Sequence, residues 1–144
     1  MTTILDTNVA SEIVSPRPDP GVMAWWRRQV LGEMFTTAVT EAEMRYGLAI
    51  MPAGHRRSSL LIRTDHLLRV YLAARILPFD SAAAQIYADI RSHRRRIGRR
   101  IEHPDAQIAA IARSAGMAVA TRDVGDFADC GVELVNPWAT EGTA

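Results

Sequence analysis

At 144 residues the chain is read as one domain spanning 1–144, long enough to bury about two-thirds of its unfolded surface with no disulfide or structural metal. Its single cysteine, Cys130, excludes an internal disulfide, and a formal net charge of +1 excludes a broadly basic nucleic-acid binder. All 17 basic side chains are Arg, so a P-loop, which needs Lys to cradle phosphate, is excluded as well.

In chain order, the apolar run Thr3-Ile4-Leu5 reads as a strand ending at Asp6, followed by a helix from Thr7 to about Val14. Ser15-Pro16-Arg17-Pro18-Asp19-Pro20 breaks the chain. A helix resumes over 21–31, a second strand covers 35–39, and a helix over 41–50 stops near Pro52-Ala53-Gly54. A long amphipathic helix is expected over 55–74, and Ile76-Leu77-Pro78 reads as a short strand. Ser81 is taken as the cap of a helix running to about Ile97, and a further helix over 104–114 stops at Gly116. Strands over 118–121 and 133–135 close the chain. Strands alternating with helices predict a three-layer α/β/α fold around a mostly parallel central sheet, with no internal repeat or linker. No basic flank followed by an apolar stretch opens the chain, so neither secretion nor a membrane span is expected, and a cytoplasmic location is.

Four acids fall at telling places in this scheme. Asp6 and Asp123 sit at the carboxyl ends of buried strands, whereas Glu43 and Asp105 open helices. In a parallel sheet, helices that lead into strands begin at the edge where the other strands end, which is where such folds bind ligands. Each acid also has a local reading. Thr40-Glu41-Ala42-Glu43 fits a capping box, and His103-Pro104-Asp105 puts Pro and an acid in a first helical turn. Asp6 can cap the helix at Thr7, and Asp123 can serve a turn. Taken together, four carboxylates on one edge would repel one another unless a cation lay among them. Carboxylates suit Mg²⁺ or Mn²⁺. Zinc is not expected, because His55, His66, His93 and His103 show no zinc-ligand spacing with one another or with Cys130.

The blocks Ile4-Leu5-Asp6-Thr7-Asn8-Val9, Glu43-Met44-Arg45-Tyr46-Gly47, Asp105-Ala106-Gln107-Ile108-Ala109-Ala110-Ile111-Ala112 and Thr121-Arg122-Asp123-Val124-Gly125-Asp126-Phe127 resemble, in order and interval, the PIN-domain ribonucleases. More narrowly, the chain is similar to the VapC/FitB-like toxins of type II toxin-antitoxin pairs, which often close with a segment like Asn136-Pro137-Trp138. The resemblance implies a PIN-like fold and a metal-dependent endoribonuclease. Asp6, Glu43, Asp105 and Asp123 would hold one or two Mg²⁺ or Mn²⁺ ions that activate water against an RNA phosphodiester. Family members often carry Asn where Asp123 stands and an acid where Asp126 stands, so the fourth acid is Asp123, Asp126 or both; Asp123, nearer the strand end, is preferred. Thr7, Asn8 and Thr121 are candidates for orienting a carboxylate or phosphate and Arg122 for meeting phosphate, against a local reading as turn hydrogen bonds. The resemblance also implies a cognate antitoxin of the VapB/FitA type laying its carboxyl-terminal segment along the early helices. It further implies a homodimer, and contact with DNA only through that antitoxin.

Two rivals remain. A catalytically silent PIN-like module would keep the acids but only bind a protein partner or RNA. A phosphatase of the haloacid-dehalogenase type would need a second Asp two residues after Asp6, where Asn8 stands. Between Arg91 and Arg100 lie six Arg and no acid, readable either as a phosphate-binding stretch that steers RNA or as a solvated helix end. Trp25 and Trp26 cannot share one helix face, which leaves one of them a candidate for an interface.

Overall fold

The computed structural model describes residues 1–139; the tail of the expected 1–144 span, residues 140–144, lies outside the described residues. The first element, β1 (Thr3–Leu5), is buried on both faces and leads directly into α1 (Thr7–Val14). After the proline-rich break come α2 (Pro20–Arg28), β2 (Met34–Thr37), α3 (Ala38–Ala49) and α4 (His55–Asp65). The last continues as a wider π-helical stretch over His66–Tyr71, so the long helix expected over 55–74 changes its winding before it ends. Then follow β3 (Ile76–Leu77), α5 (Ser81–Arg96), α6 (His103–Ala115), β4 (Ala118–Ala120) and β5 (Leu134–Val135).

All pairings are parallel, in the order β3-β2-β1-β4-β5. Ile4 and Leu5 alternate across the sheet. Ile4 packs with Ile90, Ile108, Val119 and Phe127 under α5 and α6, whereas Leu5 packs with Val9, Trp25, Met34 and Leu67 under α1, α2 and the π-helical stretch. The sheet is therefore a layer with helices on both faces, as the alternation of elements predicts. The order reverses at β1, where the chain first builds outward to β3 and then returns to the other side as β4. That reversal leaves a crevice beyond the carboxyl ends of β1 and β4.

Several boundaries shift for identifiable reasons. Thr37, the last residue of β2, is itself the N-cap of α3, and its hydroxyl accepts from the Thr40 amide at 3.1 Å. The helix consequently begins at Ala38 rather than 41, Thr40 sits in its first turn, and Glu43 in its second, so the capping-box reading of Thr40 and Glu43 is corrected. Similarly, Asp80 rather than Ser81 caps α5, accepting from the Ala83 amide at 2.9 Å. Gly116, with φ 68°, ends α6 as the sequence predicts. Trp25 is buried and Trp26 half-buried against the same core, so neither tryptophan is left standing free on the surface. Among the described residues no helix is long and apolar enough to cross a membrane.

Candidate active site

The crevice collects its acids from four places. Asp6 follows β1; its amide extends the ladder by donating to the Ala120 carbonyl at 2.9 Å, which fixes its backbone against β4. Glu43 comes from the second turn of α3, Asp105 from the first turn of α6, and Asp123 from the turn after β4. Only Asp6 is fully buried, at 4% exposure.

A chain of hydroxyl and amide donors stitches three of these acids together. Asp6 also caps α1, as expected, with Oδ1 accepting from the Thr7 amide at 2.7 Å. Its Oδ2 accepts from the buried Thr121 hydroxyl at 2.7 Å. Thr121 Oγ1 in turn accepts from the Asp123 amide at 3.0 Å, and Asn8 Nδ2 donates to Asp123 Oδ2 at 3.0 Å. The Asn8 side-chain Oδ1 accepts from the Arg122 amide at 3.3 Å, holding the post-β4 turn against α1. On the other side, Thr7 Oγ1 donates to Glu43 Oε1 at 2.7 Å and lies 3.0 Å from Thr40 Oγ1. Thr7, Asn8 and Thr121 each hydrogen-bond a carboxylate, while Asn8 and Thr121 also accept from the turn amides of Arg122 and Asp123, so both readings of these residues are met at once. Thr40 was missed as a member of this network, because its spacing to Glu41 and Glu43 pointed to a cap.

The acids feel one another. Burial is the main cause that pushes Asp6 up to about 6; bonds from Thr121 and the Thr7 amide oppose it, and charge on Glu43 and Asp123 adds to it. Asp105 is pushed up to about 7, again first by burial, then by Asp6, Asp126, Glu43 and Asp123. Asp105 is the less buried of the two but the more shifted. No hydrogen bond from a described residue favours its charged form, whereas Asp6 has two that do. Asp126 acts on Asp105 more strongly than Asp123 does, and Asp123 rather than Asp126 acts on Asp6. Both therefore border the site, on different sides.

Among the described residues none of Asp6, Glu43, Asp105, Asp123 and Asp126 has an ion-pair partner; the ion pairs that the described residues do form involve Glu33, Glu41, Asp65 and Asp129. The Arg122 guanidinium does not enter the crevice's ion balance but lies over the Trp138 ring, 5.1 Å from its centroid. Five oxygen-bearing acids without a cation are a donor set suited to a hard divalent ion. Among the described residues no group of three or more His, Cys, Asp or Glu side chains stands close enough to hold a metal ion between them. The acids supply the right donor chemistry for a hard divalent ion, and holding one would need their side chains to draw closer, with water and substrate completing the shell.

The arginine segment divides by helical position. Arg94, 3% exposed, turns inward and donates to the carbonyls of Asp126 and Ala128 at 2.8 Å each, with further bonds to the Arg99 carbonyl and Cys130. Arg99 pairs with Asp129 at 3.0 Å. Arg91 donates to the Tyr87 hydroxyl at 3.0 Å and reaches His103 Nδ1 at 3.1 Å. These contacts were not foreseen, since a run of like charges gives no sign of which member turns inward.

Comparison with known proteins places this geometry in context. The family model for the PIN domain matches residues 3–131. The chain is 42% identical over 135 residues to the VapC ribonuclease Y4jK of Sinorhizobium fredii, covering 94% of this chain and 96% of that one. It is 41% identical to Toxin FitB of Neisseria gonorrhoeae, covering 94% of this chain and 97% of the other. Among solved structures, FitAB bound to a DNA fragment is similar with a TM-score of 0.88 and 42% identity, over 94% of this chain and 95% of that one.

Proposed function

The chain belongs to the PIN-domain family, and from that premise we propose that it is a metal-dependent endoribonuclease acting as the toxin of a toxin-antitoxin pair. The observation that carries the proposal is the set of carboxylates without ion-pair partners at the β1/β4 crevice, two of them pushed up to about 6 and about 7 by burial and mutual repulsion. Asp6, Glu43, Asp105 and Asp123 are the residues that would hold Mg²⁺ or Mn²⁺, with Asp126 bordering Asp105. Such an ion supplies a nucleophilic water at neutral pH and offsets charge on the phosphate.

The protein's own groups do the rest. Thr121 and the Thr7 amide hold the two Asp6 oxygens in place and favour the ionised form. Thr7 fixes Glu43, and Asn8 fixes Asp123, so three carboxylates are oriented before any ligand arrives. Substrate RNA and a cognate antitoxin are the proposed partners. For the antitoxin, a groove lined by Thr7, Ser11, Glu43, Met44, Leu48 and Leu60 runs from the acids along α1, α3 and α4. Nearby, Ile62 is 70% exposed, which gives an apolar segment of a partner a place to bind. A homodimer is proposed on the same family ground.

The test is cleavage of total RNA by the purified protein with Mg²⁺ or Mn²⁺, beside EDTA and Asp6→Asn. Discrete fragments that vanish in both controls are expected. The second reading, a silent binding module, draws on the fact that no three acids among the described residues stand close enough to hold a metal ion between them. It becomes the better account if metal raises the melting temperature while RNA stays intact.

A further inference from the structure

We infer that the cavity between α5 and the loop leading into α6 is a subsite for the sugar-phosphate backbone of single-stranded RNA; this rests on the ribonuclease reading of the acid crevice. The cavity, about 470 Å³, is lined by Tyr87, Arg91, Ser92, Arg95, Arg100 and Ile101. Three arginines and a serine thus line it, with no carboxylate residue in its walls.

The rest of the arginine segment has other work. Arg94 is buried on backbone carbonyls, Arg99 is paired with Asp129, and Arg96 lines a different cavity shared with Asp89 and Asp129. Arg91, Arg95 and Arg100 have no ion-pair partner among the described residues and converge on one space. Fork-shaped donors in this arrangement match phosphate oxygens.

Two further features favour a nucleic acid over an acidic peptide. Tyr87 stacks on His103 with ring centroids 6.3 Å apart and planes 12° apart, and Arg91 lies 5.6 Å from the centre of the Tyr87 ring. Aromatic and guanidinium faces beside a phosphate-binding wall are the elements with which proteins hold single strands without reading their sequence. The chain itself links the cavity to the acids: His103, which contacts Tyr87 and Arg91 of the cavity wall, opens α6, and Asp105 follows two residues later in the same turn. A strand with its scissile phosphate at Asp105 would pass over His103 and Tyr87 to reach Arg91 and Arg95.

The test uses a fluorescein-labelled oligouridylate bound by the full chain in EDTA, so that nothing is cut, and read by anisotropy across a salt series. Arg95→Ala/Arg100→Ala is the variant of choice, because neither side chain makes a hydrogen bond or ion pair within the described residues. Expected is a roughly tenfold or greater loss of affinity. The slope of log affinity against log salt should become shallower by about 1.4, for two phosphate contacts at roughly 0.7 each on a single strand. Tyr87→Phe should retain binding and Tyr87→Leu weaken it. Unchanged affinity and slope in the double variant, or no binding by the wild type, overturns the inference. So does loss of poly-glutamate binding with oligouridylate binding intact, which would make the occupant an acidic peptide. Cleavage by the wild type with Mn²⁺, scored on the same preparations, separates the two claims. Intact cleavage with unchanged oligouridylate binding removes the subsite alone, and absent cleavage with the expected binding loss removes the nuclease reading alone.

Discussion

The acid crevice and the arginine segment are opposite ways of gathering charge. The acids are spread from residue 6 to residue 126 and meet only because a parallel sheet brings strand ends and helix starts to one edge. The six arginines lie within ten residues, yet the chain scatters them: Arg94 is buried, Arg99 is paired, Arg96 lines one cavity, and Arg91, Arg95 and Arg100 line another. Like charges close in sequence are thus divided by the fold among different tasks, whereas those far apart are gathered at one edge, and among the described residues three arginines and the crevice acids are left without ion-pair partners. The sharpest way to break this comparison is Asp105→Asn. Cleavage should fall by about a thousandfold or more, the scale of losing a group that acts on transition-state charge. The metal-free melting temperature should rise, because a neutral amide removes the repulsion felt from Asp6, Asp126, Glu43 and Asp123. Lower stability in that variant would contradict the electrostatic account even if activity were lost.

Within the arginine segment the contrast is between neighbours. Arg94→Ala removes the donor of bonds to the Asp126, Ala128 and Arg99 carbonyls and leaves a hole beside Cys130, a cost of about 2–4 kcal/mol. Arg95→Ala, one residue on and exposed, should stay within about 0.5 kcal/mol of the wild type. Urea unfolding of both checks this. Because Arg94 also anchors the turn that carries Asp126, its loss should lower cleavage beyond what unfolding explains, and equal stabilities for the two variants would remove the buried role assigned to Arg94.

Thr121→Val probes how far the crevice depends on its hydroxyls. Val keeps the shape of Thr, but Asp6 Oδ2 loses a donor at 2.7 Å and the Asp123 amide loses its acceptor at 3.0 Å. Loss of a group that supports a ligand typically costs about 10–100-fold, and cleavage at pH 7 should fall in that range. The acidic limb of the pH profile should move to higher pH, since the bond favours ionised Asp6. Thr121→Ser should restore both. A loss of rate without a shift in the profile would reduce Thr121 to a packing role.

Much of this was legible in the sequence, and the failures are instructive. Asp6 and Asp123 could be placed because a short apolar run that stops near an acid has one reading in a parallel sheet; β1 ends at Leu5 as expected, and β4 ends at Ala120, one residue before the expected Thr121. Glu43 was placed on the right helix but in the wrong turn. The strand β2 runs into α3 with no loop, and Thr37 serves both as strand end and as cap, which pattern reading divides between two residues. The π-helical winding after Asp65 left no signal, because apolar spacing over a single turn does not distinguish it from an α-helix. Arg94 was illegible for a different reason. Its burial is set by carbonyls of a turn more than thirty residues away, and no local pattern encodes that.

The smallest effect is also the most direct readout of the crevice's charge. Asp6 and Asp105 rise from an ordinary value of 3.8 to about 6 and about 7, so between these limits the folded chain binds more protons than the unfolded one. The contribution of these two acids to stability is therefore greatest below about 4 and is lost as pH climbs through about 7, the reverse of the contribution of a paired carboxylate. For Asp105, half-exposed, solvent screening reduces the contribution, and a fall of a few degrees in melting temperature between about pH 4.5 and 7.5 is expected in EDTA. Mg²⁺ or Mn²⁺ binds the ionised acids and should stabilise the protein most at the high end of that range, flattening the trend. Glu133→Gln, an exposed acid after β4 outside the crevice, should leave the slope unchanged, whereas Asp105→Asn should reduce it. A metal-free melting temperature that rises with pH over this window would mean that the acids are not crowded as the geometry requires. The case for a cation among them would lose its physical basis.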